Sequence, residues 1–226
     1  MTPIDWRGDI WLGPDFALLR GQISAGSQHA HYAHQIMLAP TDSIAVKIDG
    51  VAIVARCLLI SSMRPHAIVQ APAGVFTIFA EPRAWDAEFL QQHVLLANPS
   101  LSGLVEAVRA CRVPLALDAR VERALAEVDA SLSSAVSARE LASSVQLSLS
   151  QLVRLFGAQI GLSIRRLVLW RRLRLAITLV FEGQTLTYAA HSAGFADSAH
   201  FSRTMRATFG VRADRSLRHL QLRRLD

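Results

Sequence analysis

LTYAAHSAGFADSAHFSRTMRATFG, residues 186–210, is the stretch from which the rest of the chain is read. Ala189 and Ala190 are small enough for close helix contact, Gly194 and Phe195 follow as turn and plug, and Asp197-Ser198 can cap a new helix. The spacing is that of a helix-turn-helix. In its second helix Phe201, Met205 and Phe209 recur at four-residue steps and define a buried stripe, which turns Ala199, Arg203 and Arg206 to the opposite face. That face is small, basic and free of carboxylates. A helix entering a major groove needs those properties: small residues let the backbone approach, and arginine can meet guanine O6 and N7 or a phosphate.

A second copy lies upstream. Leu141-Ala142 open a short helix, Leu147-Ser148 supply turn and cap, and Ser150 to Gln159 reads as a helix with Leu152, Leu155 and Phe156 inward and Ser150, Arg154 and Gly157 outward. Between the copies, Ser163 to Phe181 predicts a connecting helix of about 19 residues, hence about 28 Å. One turn of DNA is roughly 34 Å, so a rigid connector of that length would present both second helices to successive major grooves on one side of a duplex. On this reading Ser150, Val153 and Arg154 face one groove and Ser198, Ala199 and Arg203 the next, with His200 at the groove wall. Arg139, Arg165, Arg166 and Arg206 are the candidate phosphate contacts. Arg165 and Arg166 are preferred among the connector's basic residues because they start the helix, where its dipole favours anions. Arg171, Arg172 and Arg174 surround the same helix, so the five cannot all meet DNA. Trp170, Leu167, Leu173, Ile177 and Val180 read as core.

Charge follows the same division. Residues 1–100 hold six Lys/Arg and eight Asp/Glu, whereas residues 137–226 hold fourteen arginines and five carboxylates. The nucleic-acid footprint is therefore confined to the C-terminal part. Overall the 226 residues are 51% hydrophobic, which excludes a disordered chain and allows one large or two small domains. No apolar run approaches the roughly 18 residues of a membrane span; the longest, Val51 to Ile60, is broken by Arg56. The N-terminal MTPIDWRGDIW has neither the basic nor the apolar region of a secretory leader. Two cysteines, Cys57 and Cys111, fit no metal or redox spacing. A cytoplasmic protein with free thiols is the expectation.

With these residues in place, the segment Asp118 to Leu217 resembles the DNA-binding domain of the AraC/XylS family of bacterial transcription regulators. The resemblance covers about 100 residues, Asp118 to Leu217, and rests on LSLSQLVRLFGAQIG (147–161), WRRLRLA (170–176) and AGFADSAHFSRTMRATFGV (193–211) in the right spacing. It implies a regulator that binds double-stranded DNA, with RNA polymerase and a small-molecule effector as further partners. Two positions depart from the pattern. Met205 stands where the family usually has phenylalanine, a tolerable apolar swap. Ala213 stands where a proline usually follows, which puts the start or angle of the last helix in question.

The first 80 residues read differently. Short apolar or alternating runs bounded by turn residues occur at Phe16–Arg20, Gln35–Leu38, Ile44–Ile48, Val51–Ala55, Arg56–Ile60, His66–Gln70 and Val75–Ala80, with Asp49-Gly50 as a strong hairpin signal. They predict a small sandwich or barrel, read as cupin-like. GSQHAHYAHQI places His29, His31, His34 and Gln35 close together, and His66 begins a later strand. On a strand His29 and His31 would share a face and could hold a divalent metal with His66. The spacing resembles the H-x-H motif of cupins, with Gln35 where metal-binding cupins place glutamate. Two alternatives stand: a metal site, or imidazoles that bond one another and line an effector pocket without metal. No cofactor is required for the DNA-binding reading. Catalysis is set aside because the motif lacks a carboxylate base and the glutamate ligand.

After Ala80 the pattern becomes helical. Ala84 to Leu96 predicts a helix with Trp85, Phe89, Leu90 and Val94, and Ser100 or Ser102 caps a second through Arg109 with Leu101, Leu104, Val105 and Val108. These either mediate a homodimer, as the resemblance implies, or pack on their own barrel. The expected organisation is α+β: a cupin-like β-barrel sensor domain at 1–83, a helical segment at 84–112, and an all-α DNA-binding domain at 113–226 with two helix-turn-helix motifs joined by a linker helix. Two other functions compete with an effector-modulated regulator. One is a sensor whose barrel is the main functional site, and the other a constitutive DNA-binding dimer without effector.

Overall fold

A computed structural model of the chain describes residues 6–223. The N-terminal stretch read for a leader lies partly outside the described residues. The chain divides by packing into two compact units, residues 1–114 together with 203–226, and residues 115–202.

In the first unit, strands β1 (Trp6–Leu12), β2 (Phe16–Ile23), β3 (His34–Leu38), β4 (Ile44–Ile48), β5 (Val51–Ala55), β6 (Cys57–Ile60), β7 (His66–Gln70) and β8 (Val75–Ala80) are joined by a C-terminal strand, β9 (Leu220–Arg223). They form two sheets, a six-stranded one in the order β6-β3-β8-β2-β1-β9 and a three-stranded one in the order β5-β4-β7. The cupin-like barrel of the sequence reading thus takes the form of a two-sheet domain, and the α+β class is borne out. Four of the seven expected strands keep their bounds. The Asp49-Gly50 turn has the positive φ angles, 50° and 84°, that a two-residue hairpin of matching twist requires.

Strand β8 is buried at every position. Alternation splits it between two faces. Phe76, Ile78 and Ala80 join Trp11, Phe16, Leu18 and Ile36 under the helices α1 (Ala87–Leu96) and α2 (Leu101–Ala110). Thr77 and Phe79 turn the other way, and the registered pairs Met37↔Thr77 and Gln35↔Phe79 put Gln35 on that inner face too. The two helices therefore pack on their own sheet through Leu90, Val94, Leu104, Val105 and Val108. The first starts later than Ala84, because Glu81 to Ala84 forms a turn and Asp86 caps the helix by accepting from the Phe89 N–H. Trp85 is held just ahead of the cap, where its indole donates to the Val108 carbonyl at 2.7 Å. Buried Asp15 binds Arg83 at 3.3 Å and Arg112 at 2.7 Å, tying the β1–β2 turn to both ends of the helical layer.

In the second unit, α3 (Ala119–Ala130), α4 (Ala138–Ser144), α5 (Leu149–Ile160), α6 (Ile164–Phe181) and α7 (Leu186–Ser192) each begin on a side-chain cap: Asp118, Ser137, Ser148, Ser163 and Thr185. Helix α8 (Ser198–Phe209) starts in this unit and ends in the first, followed by α9 (Ala213–Ser216), a 3-10 turn at Leu217–His219, and β9, which runs parallel to β1. Ala213 is the first residue of α9, the helix position at which a proline would also be tolerated. No helix among the described residues is long and apolar enough to cross a membrane.

Trp85→Ala is expected to cost about 3–5 kcal/mol, since it removes a fully buried indole together with its hydrogen bond. The measurement is a lower denaturant midpoint for the sheet-and-helix unit; an unchanged midpoint would contradict the packing described.

Candidate nucleic-acid interface and histidine cluster

The two helix-turn-helix turns are built alike. After α7, the Gly194 N–H donates to the His191 carbonyl and Phe195 to Ala190; after α4, Gln146 donates to Ser143 and Leu147 to Ala142. Gly194 and Gln146 both take the left-handed conformation, φ 81° and 59°. Only the first must be glycine. A Cβ there would lie 2.1 Å from the Leu132 carbonyl and 2.9 Å from the Arg172 guanidinium. Gln146 is exposed and tolerates the conformation, which is why no glycine marks the first turn in the sequence.

Helix α5 opens with a reciprocal box: the Gln151 N–H donates to Ser148 Oγ at 3.2 Å, and the Ser148 N–H to Gln151 Oε1 at 2.9 Å. Leu152, Phe156 and Ile160 are buried, while Ser150, Val153 and Arg154 face solvent. Leu155, expected inside, is half-buried. Helix α8 is capped by Asp197, which accepts from the His200 N–H at 2.5 Å. Phe201, Met205 and Phe209 are buried and Ala199, Arg203 and Arg206 exposed, with Ser198 and His200 half-buried. The His200 ring packs edge-on against Phe195, 5.2 Å between centroids, so its imidazole also supports the turn.

The connecting helix α6 has 18 residues, about 27 Å. Two of its arginines are structural. Arg172 donates to the carbonyls of Leu132 at 2.9 Å and Ser134 at 2.6 Å, and Arg171 pairs with Asp129 at 3.7 Å. Arg165 and Arg166 are exposed in its first turn, as is Arg139 at the start of α4.

The histidines converge, though not as a strand pair. His29 and His31 lie in the loop between β2 and β3, and His29 is held by a two-way backbone bridge to His66, 2.9 Å in each direction. Ring centroids are 4.1 Å apart for His29 and His66, 5.1 Å for His31 and His66, and 5.8 Å for His29 and His31. One nitrogen from each lies within 4.8 Å of the others. His34 is not part of the group. It is one residue from Gln35 on a strand, so it points to the opposite face, where its Nδ1 accepts from the Ser62 N–H at 3.1 Å. Gln35 does join, its Oε1 lying 3.0 Å from His31 Nε2.

Each Nδ1 meets a main-chain carbonyl: Ser27 for His29, Ala33 for His31 and Arg64 for His66, at 2.9, 2.9 and 2.8 Å. Burial, then repulsion from His66, lowers the pKa of His29 to about 4; burial and both neighbours lower that of His31 to about 3. Burial likewise lowers His66. All three imidazoles are thus neutral near pH 7, and with Nδ1–H donating to the carbonyls, the Nε2 lone pairs are directed away from the backbone. Cys57 and Cys111 are free thiols whose pKa burial pushes up.

The sequence reading did not foresee what else lies against this cluster. The Phe209 ring, at the C-terminal end of α8, sits 5.5 Å from His31, 5.6 Å from Phe79 and 5.8 Å from Trp6. Gly210, φ 74°, follows so closely that a Cβ would lie 2.7 Å from His29 Nδ1.

A family model described as a helix-turn-helix domain matches residues 141–219. No curated protein matches the chain. Among solved structures, ToxT from Vibrio cholerae is 12% identical over 92% of this chain and 98% of that one, with a TM-score of 0.61. ToxT with an unsaturated fatty acid bound is 12% identical over 88% and 94%, with a TM-score of 0.57. Both are likenesses of fold. A regulator with an AraC-type DNA-binding domain from Chromobacterium violaceum is 26% identical over 42% of this chain and 85% of that one, with a TM-score of 0.40.

Because the folded state binds protons at His29 and His31 less readily than the unfolded chain, their contribution to stability is fully present above the ordinary value of 6.5 and is lost as pH falls toward 4 and 3. In EDTA, the denaturant midpoint is expected to fall from pH 6.5 to about 5, above the range where most carboxylates titrate, and His31→Gln to flatten that fall. A flat wild-type midpoint over this window would contradict it.

Proposed function

We propose, from the premise that residues 141–219 are a helix-turn-helix domain of the AraC type, that the protein is a sequence-specific transcription regulator acting on double-stranded DNA. The observation that carries this is the pair of capped second helices, α5 and α8, each buried on one side and presenting small and basic residues on the other. Ser150, Val153 and Arg154 read one major groove; Ser198, Ala199, His200 and Arg203 read the next. Arg139, Arg165, Arg166 and Arg206 bind phosphates and set the register without carrying sequence information. Functionally, residues 113–226 are the DNA-binding domain, 1–83 the sensor and 84–112 a helical segment available for a homodimer.

In this reading the protein is not an enzyme, works in the cytoplasm, and meets RNA polymerase at its target promoters. DNA binding itself needs no cofactor. An effector bound by the sensor shifts DNA affinity through unequal affinity for two arrangements of the chain. A bound unsaturated fatty acid in ToxT, which shares the fold, supports a ligand on such a scaffold, and the histidine cluster with Gln35 is the candidate seat here.

The test is selection of bound duplexes from a random pool at fixed salt, followed by affinity measurements on the selected site. Arg154→Ala should weaken binding about 5- to 150-fold and relax preference at one end of the site, as expected for about 1–3 kcal/mol of base discrimination. Arg165→Ala should weaken all sequences alike and reduce the salt slope by about one. Recovery of no shared motif would overturn the sequence-specific reading.

A further inference from the structure

The cluster has an unsatisfied atom. His66 is 1% exposed, its Nδ1 is occupied by the Arg64 carbonyl, and its buried Nε2 has no hydrogen-bond partner. A buried polar atom left unpaired is costly, and native structures retain such atoms where a ligand satisfies them. His31 points to the same ligand. Its two nitrogens lie against two oxygens, Ala33 O and Gln35 Oε1, yet a neutral imidazole has only one N–H. With that proton on Nδ1, the Nε2 lone pair and Gln35 Oε1 confront each other as two donors to a Lewis acid. Their 3.0 Å separation matches two ligands at right angles around one ion with bonds of about 2.1 Å.

We propose that His29, His31 and His66, with Gln35 beside them, bind one divalent late transition-metal ion, and that the C-terminal end of helix α8 senses its presence. Neutral imidazole and amide donors suit Zn²⁺-class ions and disfavour Mg²⁺ and Ca²⁺, which take carboxylates. The backbone carbonyls on the three Nδ1 atoms are the outer partners that orient ligating histidines.

The readout follows from what packs on the ligands. The three nitrogens, within 4.8 Å of one another, would settle to roughly 3–3.5 Å apart around a single ion. The rings that move are those against Phe209, the last residue of the helix bearing Arg203 and Arg206, and against the Gly210 backbone that follows it. Metal and DNA affinity are then linked, and each ligand changes the other's affinity by the same factor. This rests on the regulator reading above.

The experiment uses untagged, EDTA-stripped, full-length protein titrated with Co²⁺, with Zn²⁺ as competitor, followed by amide hydrogen exchange. Expected are one ion per chain, visible Co²⁺ bands of a nitrogen-ligated ion, and affinity reduced at least about 100-fold in His66→Gln. Exchange at residues 206–212 should change when Zn²⁺ binds. Phe209→Ala should keep the ion but lose that response, and Zn²⁺ should shift the DNA affinity of the wild type about 5- to 150-fold. Absence of saturable binding, binding that His66→Gln leaves intact, or unchanged exchange at 206–212 with the ion bound would each overturn the proposal. DNA affinity is measured in parallel for the metal-free and the Zn²⁺-treated protein. Absence of DNA binding both with and without the ion overturns the regulator reading instead, and is told apart from absence of metal binding.

Discussion

A strand covered on both faces can carry apolar side chains at every position, and Val75–Ala80 does so with one threonine among them. Its two faces carry different parts of the protein. Phe76 and Ile78 anchor the layer of α1 and α2, locked by the Trp85 indole and by Asp15 between two arginines. Phe79 faces the histidine cluster and the end of α8. Because side chains alternate along β3, the same register that sends Gln35 to the histidines sends His34 away from them.

The end of α8 is therefore constrained from several sides. Phe209 fits among Trp6, His31 and Phe79, Gly210 passes the His29 ring, and β9 pairs with β1, with Arg223 reaching Asp9 at 2.8 Å. On the proposed reading, α8 carries its groove-facing residues near its start and the candidate ligand cluster's neighbours at its end, and so would link the two functions.

Much of this was readable wherever the cause is local. Asp118, Ser148 and Ser163 announce their helices through a side chain that satisfies a main-chain N–H two or three residues on, and Asp49-Gly50 announces its hairpin through positive φ. The resemblance of the C-terminal part to AraC/XylS regulators is borne out over residues 141–219. The failures are non-local. Trp6–Leu12 contains Gly8 and Asp9 and shows no clean alternation, while Leu220–Arg223 becomes a strand only because β1 is there to receive it, more than two hundred residues away. Of the histidines gathered in the sequence reading, His29, His31 and His66 converge and His34 does not, and His29 and His31 lie in a loop and not on a strand. His29 is fixed by main-chain bonds to His66, a pairing that side-chain periodicity cannot express.

The central claim is that two recognition helices enter adjacent major grooves. It is tested most directly by a hydroxyl-radical footprint of the full-length protein on a selected duplex. The account predicts two protected patches about 10 base pairs apart on one face of the helix, with the patch at one end fading in Arg154→Ala and the other in Arg203→Ala. A single patch, or uniform salt-sensitive protection along the duplex, would contradict it.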